Sequence, residues 1–153
     1  MSKYSSFGAA AAAGTASTTE GIMHITNPSA STMVKAAIYE WSMGPGAAAE
    51  DSNYTVSMVR VTGVGTYTSV TPSPTESGAP ASVSLAGRAQ TSGSNTKGVT
   101  LASWGFNQRG GYRWVAVPGG ELIVPATFSA GILLLYAVVA GTAVNYANIW
   151  FTE

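Results

Sequence analysis

The segment 129–153 carries the densest run of apolar residues in the chain, and it constrains the fold more than any other stretch. A Gly-Thr pair at 141–142 divides it into two arms, each long enough for a strand. Because side chains alternate along a strand, Leu133 and Leu135 face one side of the first arm and Leu134 faces the other. Both faces are therefore apolar and need cover. We predict a terminal β-hairpin inside a packed assembly.

The sequence leaves three covers open for the second apolar face: an opposing sheet, a sister subunit, or the domain's own loops. A membrane span is the alternative use of this segment, and it requires about 18 uninterrupted apolar residues. Here the run is broken at 141–142 and again by Asn145 and Asn148, and no Lys/Arg asymmetry flanks it. We therefore expect no membrane partner.

The charge content of the chain favours a protein that works inside an assembly. Only 9% of the 153 residues are charged, against about 25% in a typical soluble domain. A surface so poor in charge tends to associate. Seven basic residues balance seven acidic ones, so the chain lacks the basic surface that nucleic acid requires, and we expect no direct nucleic-acid partner. The length fits one domain.

Residues 1–21 are rich in alanine, serine and threonine and contain few large apolar groups. This composition predicts a flexible low-complexity arm that a sister subunit or a neighbouring protein holds. A short alanine helix packed on its own domain is the alternative. The start of the chain does not resemble a secretory signal, so we expect synthesis in a host cytoplasm.

From residue 22 onward, short β-prone pieces alternate with turn clusters such as NPS at 27–29, GPG at 44–46 and PGG at 118–120. No segment outside the arm shows a convincing helical period. About eight strands with regular turns predict an all-β domain over 22–153, an antiparallel β-sandwich of jelly-roll-like type.

The side chains that catalysis would need are scarce. His24 is the one histidine, there is no cysteine, and no HExxH pair occurs. Flanking Met23 and Ile25 favour a structural role for His24. The acidic pair at 50–51 lacks the oxygen spacing of a calcium loop. We expect a non-enzymatic protein with no metal and no cofactor.

Aromatic residues and arginines are the remaining candidates for contact with a partner. Guanidinium groups bind carboxylates in bidentate fashion, and aromatic side chains fill cores and interfaces. Stacked aromatics also bind sugars, which keeps a lectin-like module open. The candidate subunit or capsid interface consists of Tyr4, Phe7, Trp41, Arg109, Arg113, Leu133, Leu135 and Trp150.

Several segments together resemble small proteins encoded beside the structural genes of tailed bacteriophages and described as head or virion proteins. The segments are IYEW at 38–41, AAAEDSN at 47–53, VTP at 70–72, NQR at 107–109, RWVA at 113–116, PGGEL at 118–122 and VPAT at 124–127. They cover most of 34–153 in a shared order, whereas the alanine-rich start lies outside the resemblance.

The resemblance implies a virion protein of the capsid cement or decoration type. Such proteins are non-enzymatic, commonly form homotrimers, and bind the major capsid protein on the exterior of the head, which they stabilise. The alternative is a virion-surface or tail-associated carbohydrate-binding adhesion module that uses the loops at 71–80 and 91–97.

Overall fold

The computed structural model describes residues 1–11, 20–27, 34–46, 51, 53–138 and 144–153. These residues contain one short 3-10 turn, Gln108–Gly110, and no helix long and apolar enough to span a membrane. The strands they form are β1 Lys3–Ala11, β2 Glu20–Thr26, β3 Ala36–Pro45, β4 Asn53–Gly63, β5 Thr66–Val70, β6 Ser73–Pro74, β7 Leu85–Ser92, β8 Thr96–Asn107, β9 Tyr112–Val115, β10 Leu122–Val124, β11 Gly131–Val138 and β12 Val144–Thr152.

The strands make two six-stranded antiparallel sheets that pack face to face. The first sheet has the order β10-β3-β12-β1-β6, with β9 beside β10 along the same edge of β3. The second has the order β5-β7-β2-β11-β4-β8. The predicted all-β fold and antiparallel β-sandwich are confirmed.

The inward faces of both sheets share one hydrophobic core. Trp41 and Phe151 reach it from the first sheet, and Ile132 and Met58 from the second. The Trp41 ring lies 5.1 Å from the ring of Trp104, so the aromatic contacts extend to the edge strand β8. Burial of each such side chain contributes about 1.5–3 kcal/mol, and this core holds the two sheets together.

The predicted terminal hairpin is wrong. β11 lies in the second sheet between β2 and β4, whereas β12 lies in the first sheet between β1 and β3. Each strand is paired along both edges, which satisfies more backbone groups than a two-stranded hairpin would. The segment 139–143, which joins them and contains the predicted turn, lies outside the described residues.

The prediction of a flexible arm over residues 1–21 is also wrong for the part that the structure describes. β1 pairs with β12 from Lys3 to Ala11 and with β6 on its other side. Tyr4 points inward and stacks on Phe151 with 5.6 Å between ring centroids. The alternative of an alanine helix also fails for 9–11, because these residues continue the backbone pairing of β1 with β12. Residues 12–19 lie outside the described part.

The outer face of the second sheet carries a smaller hydrophobic cluster. Val59 and Val61 of β4 pack there against Leu133 and Leu135 of β11, and all four are buried. We call this group the outer cluster. Val64, in the connection between β4 and β5, and Tyr67, near the start of β5, pack against it. The sequence left open whether an opposing sheet, a sister subunit or the domain's own loops cover this apolar face. In the structure, connecting segments of the chain itself cover it.

The cover belongs to a two-stranded connection that crosses from one edge of the second sheet to the other. The connection from β4 to β5 crosses in one direction, and the connection from β7 to β8 crosses back in the other. The two connections run side by side. Gly63 pairs with Thr96 on one side of the crossing, and Thr66 pairs with Ser92 on the other. We call residues 63–67 with 90–96 the crossing ribbon.

Candidate functional site

The outer face of the first sheet has no such cover among the described residues, and we call it the open face. Side-chain alternation and the strand register define its members. They are Lys3, Ser5 and Phe7 of β1, Tyr146, Asn148, Trp150 and Thr152 of β12, Ala37, Tyr39, Glu40 and Ser42 of β3, and Arg113 and Val115 of β9.

Exposed aromatic side chains are the main apolar feature of the open face. Phe7 is 52% exposed and stacks on Tyr146, which is 39% exposed, with 5.8 Å between ring centroids. Trp150 lies on the same face of β12 and is half-buried. Val115 on β9 is 53% exposed. Large apolar side chains that remain in water on one sheet face are typical of a surface that binds another protein.

The charges on the open face nearly cancel. Arg113 Nε donates to Glu40 Oε1 at 2.7 Å, and the Arg113 side chain is 65% exposed. This hydrogen bond and the Glu40 charge raise the pKa of Arg113. Lys3 is the other charged member of the face among the described residues. The sequence analysis predicted that Arg113 binds a carboxylate of a partner protein. In the free protein, Arg113 binds the carboxylate of Glu40.

A surface pocket of about 440 Å³ lies at one end of the open face. Its lining combines apolar side chains with one group of each charge. The lining residues are Met1, Lys3, Ala37, Tyr39, Glu121 and Thr152. This pocket gives the open face a concave feature that is large enough to hold a side chain.

Three of the eight predicted interface residues, Phe7, Trp150 and Arg113, come together on the open face. Tyr4 and Trp41 do not, because both point into the core and have almost no exposed surface. Leu133 and Leu135 are buried in the outer cluster. These four side chains are already covered by their own chain and have almost no surface to offer a partner.

The eighth residue, Arg109, lies apart from the open face. It is exposed in the 3-10 turn between β8 and β9, and its backbone N–H donates to Asn107 Oδ1 at 2.9 Å. The Asn107 side chain caps the turn, and its amide nitrogen also donates to the Asp51 carboxylate. Arg109 therefore belongs to a different surface from Arg113.

Sequence reasoning missed Tyr146 and Tyr39 as members of the open face. Tyr146 lies four residues before Trp150 on the same strand, so the alternation that exposes one of them exposes the other. That signal was present in the sequence. Tyr39 lies at an irregularity in the pairing of β3 with β12, which the sequence does not predict.

His24 is buried on the outer face of the second sheet. Its ring lies edge-on to Tyr67 at 4.6 Å, and its Nδ1 is 3.3 Å from Thr26 Oγ1. Burial lowers the pKa of His24 to about 4, so the ring is neutral at pH 7. Within the described ranges no group of three or more His, Cys, Asp or Glu side chains is placed to hold a metal ion.

Comparisons with known proteins give no match, whether to a protein-family model, to a curated protein or to a solved structure.

Proposed function

We propose that this protein is a non-enzymatic structural protein of the phage virion, of the capsid cement or decoration type. It binds the major capsid protein on the exterior of the head and stabilises the shell. The observation that carries the proposal is the open face, where the stacked pair Phe7 and Tyr146 is exposed to solvent.

The chemistry of the open face suits a protein partner better than other partners. Aromatic side chains are enriched at protein interfaces and provide much of their binding energy. Phosphate groups of nucleic acid or lipid would need a cluster of free cations. Among its described residues the face has Lys3 and the already paired Arg113. A capsid surface of neutral and apolar groups is the complementary partner.

The strand connectivity supports a jelly-roll form of the sandwich, which we include in the proposal. The first strand pairs with the last, β1 with β12, and the second pairs with the last but one, β2 with β11. Viral capsid domains and lectins commonly use jelly rolls. Because one fold serves many functions, this pattern supports the structural role without deciding it.

We further propose that the protein is a homotrimer on the head. A formal net charge of zero imposes no long-range repulsion between copies. A stable interface needs roughly 1,000 Å² of buried surface in total. Sedimentation at micromolar concentration tests this part alone: a trimer supports it, and a monomer rejects it.

The test of the main proposal is the number of copies bound per head. Purified protein is mixed with heads assembled from the major capsid protein of the same genome, and bound copies are counted after sedimentation. A cement protein saturates at hundreds of copies per head and raises the temperature at which the heads open. The alternative, a carbohydrate-binding adhesion module, predicts no head binding and a handful of copies at the tail of complete virions.

A further inference from the structure

A polar pocket of about 420 Å³ lies beside the crossing ribbon, on the sheet opposite the open face. Its volume is in the range of pockets that hold small molecules. Its lining residues come from the end of β7, the following turn and the start of β8. They are Gln90, Gly93, Ser94, Asn95 and Lys97.

The orientation of both amide side chains in this pocket is fixed by backbone N–H groups. Gly65 N donates to Asn95 Oδ1 at 2.9 Å, and Gly21 N donates to Gln90 Oε1 at 3.3 Å. A backbone N–H can only donate, so the amide atom that it contacts must be the oxygen. The amide nitrogens therefore occupy the other positions.

The amide oxygens are fully used by these hydrogen bonds. The Tyr67 hydroxyl has one hydrogen and lies 3.1 Å from Asn95 Oδ1 and 3.4 Å from Gln90 Oε1, and it donates to the nearer oxygen, that of Asn95. Gln90 Oε1 accepts a second hydrogen bond from Asn95 Nδ2 at 2.8 Å. Two acceptor positions are available on each oxygen, and both are taken. Neither side chain has an acceptor left for a ligand.

Hydrogen-bond donors remain available. Gln90 Nε2 donates one hydrogen to the Gly93 carbonyl at 2.6 Å, and Asn95 Nδ2 uses one hydrogen on Gln90. Each amide nitrogen carries a second hydrogen that has no acceptor among the described residues. The Ser94 hydroxyl and the Lys97 ammonium add further donors, and the lining contains no carboxylate.

We propose that this pocket, which we call the donor pocket, binds an oxyanion, either as a free small anion or as the acidic group of a sugar. Several donors and one cation, with no carboxylate in the lining, favour a carboxylate or phosphate group over a neutral ligand. The hydrogen bonds from Gly21, Gly65 and Tyr67 hold both amides in place, so little conformational entropy is lost on binding. The inference is independent of the capsid role, because it concerns another surface.

The experiment is a titration of the isotope-labelled full chain followed by NMR. The probes are sodium acetate, inorganic phosphate, N-acetylneuraminate and neutral N-acetylglucosamine, all at constant ionic strength. The proposal predicts saturable shifts of the Gln90 and Asn95 side-chain amides and of the backbone at 93–97 with the anions alone. Tighter binding of N-acetylneuraminate than of acetate identifies an acidic sugar as the ligand class, whereas equal binding identifies the free anion.

Lys97→Gln removes the cation while keeping a donor of similar length, and it should weaken binding about tenfold. Lys35→Gln is the matched control, because Lys35 is exposed and lies outside the pocket, and it should bind as the parent does. Shifts that fail to saturate, equal binding of N-acetylglucosamine, or unchanged affinity in Lys97→Gln would each overturn the proposal.

Discussion

The two outer faces of this sandwich differ in what covers them. On the second sheet, Leu133 and Leu135 point away from the main core, and the chain buries them under its own crossing ribbon. On the first sheet, Phe7 and Tyr146 point outward and remain exposed. Among the described residues, the chain covers one face by itself and leaves the other exposed. The exposed face is therefore the surface on which the proposed partner would bind.

The covered face also shows what a complete cover requires. The crossing ribbon places Tyr67 over the sheet so closely that a Cβ atom on Gly21 would overlap its hydroxyl group. That hydroxyl donates to Asn95. Apolar packing below and hydrogen bonds to both amide oxygens above together hold this cover in place. The open face has no corresponding layer among the described residues.

The largest expected effect comes from emptying the outer cluster. Leu133→Ala should lower the free energy of unfolding by about 2–5 kcal/mol, because it leaves a cavity under the crossing ribbon. Urea unfolding of purified protein measures the change. Leu133→Met keeps the volume and should cost less than about 1.5 kcal/mol. Equal stability of Leu133→Ala and the parent would show that the cluster is not a core.

The second-largest expected effect is the loss of folding stability at low pH that results from the burial of His24 on the outer face of the second sheet. The pKa of His24 is about 4 in the folded protein against 6.5 for the free side chain, so the unfolded state takes up its proton first. The stability is full above pH 6.5 and falls as the pH drops towards 4, by about 3 kcal/mol in total. His24→Phe, which does not titrate, should lose less stability over this range. An identical pH profile in both proteins would contradict the assignment.

A smaller effect is expected from the hydrogen bonds of the crossing ribbon. Asn95→Ala removes the acceptor for Gly65 N and the Tyr67 hydroxyl, and it should cost about 1–3 kcal/mol. Tyr67→Phe removes one donor and leaves the backbone hydrogen bond, so it should cost less. Thermal unfolding ranks the two. The reverse order would mean that the tyrosine hydroxyl, and not the amide, holds the ribbon.

The smallest effect on stability is expected on the open face. Phe7→Ser removes a half-exposed ring, and the free energy of unfolding should change by no more than about 1 kcal/mol. Urea unfolding checks this against Leu133→Ala. A loss as large as that of Leu133→Ala would mean that Phe7 belongs to a core and that the two faces do not differ.

The sequence predicts which residues share a face better than which strands are neighbours. Alternation correctly indicated two apolar faces over 131–135, where the side chains are described, and one of these faces belongs to the outer cluster. The Gly-Thr pair at 141–142 suggested that this strand forms a hairpin with the next one. That prediction failed because both strands pair with partners distant in sequence: β11 with β2 and β4, and β12 with β1 and β3.

Strand positions that the sequence does not reveal also explain why some predicted interface residues lie in the core. Phe7 and Tyr4 are three positions apart, so a strand places them on opposite faces, but the alanine-rich composition of 1–21 concealed the strand. Trp41 looked equally available, although its position on β3 turns it into the core. The donor pocket had no sequence signal beyond a polar loop, since it depends on contacts between Gly21, Gly65 and residues 90–95.

The most direct test of the open face as the partner-binding surface is head occupancy of the double variant Phe7→Ser, Tyr146→Ser. A circular dichroism spectrum and a urea midpoint close to those of the parent establish that the variant is folded. Copies bound per head are then counted beside the parent and beside the Lys35→Gln control. We predict that the double variant loses most of its occupancy while the control keeps it. Undiminished occupancy of the folded double variant would contradict the account.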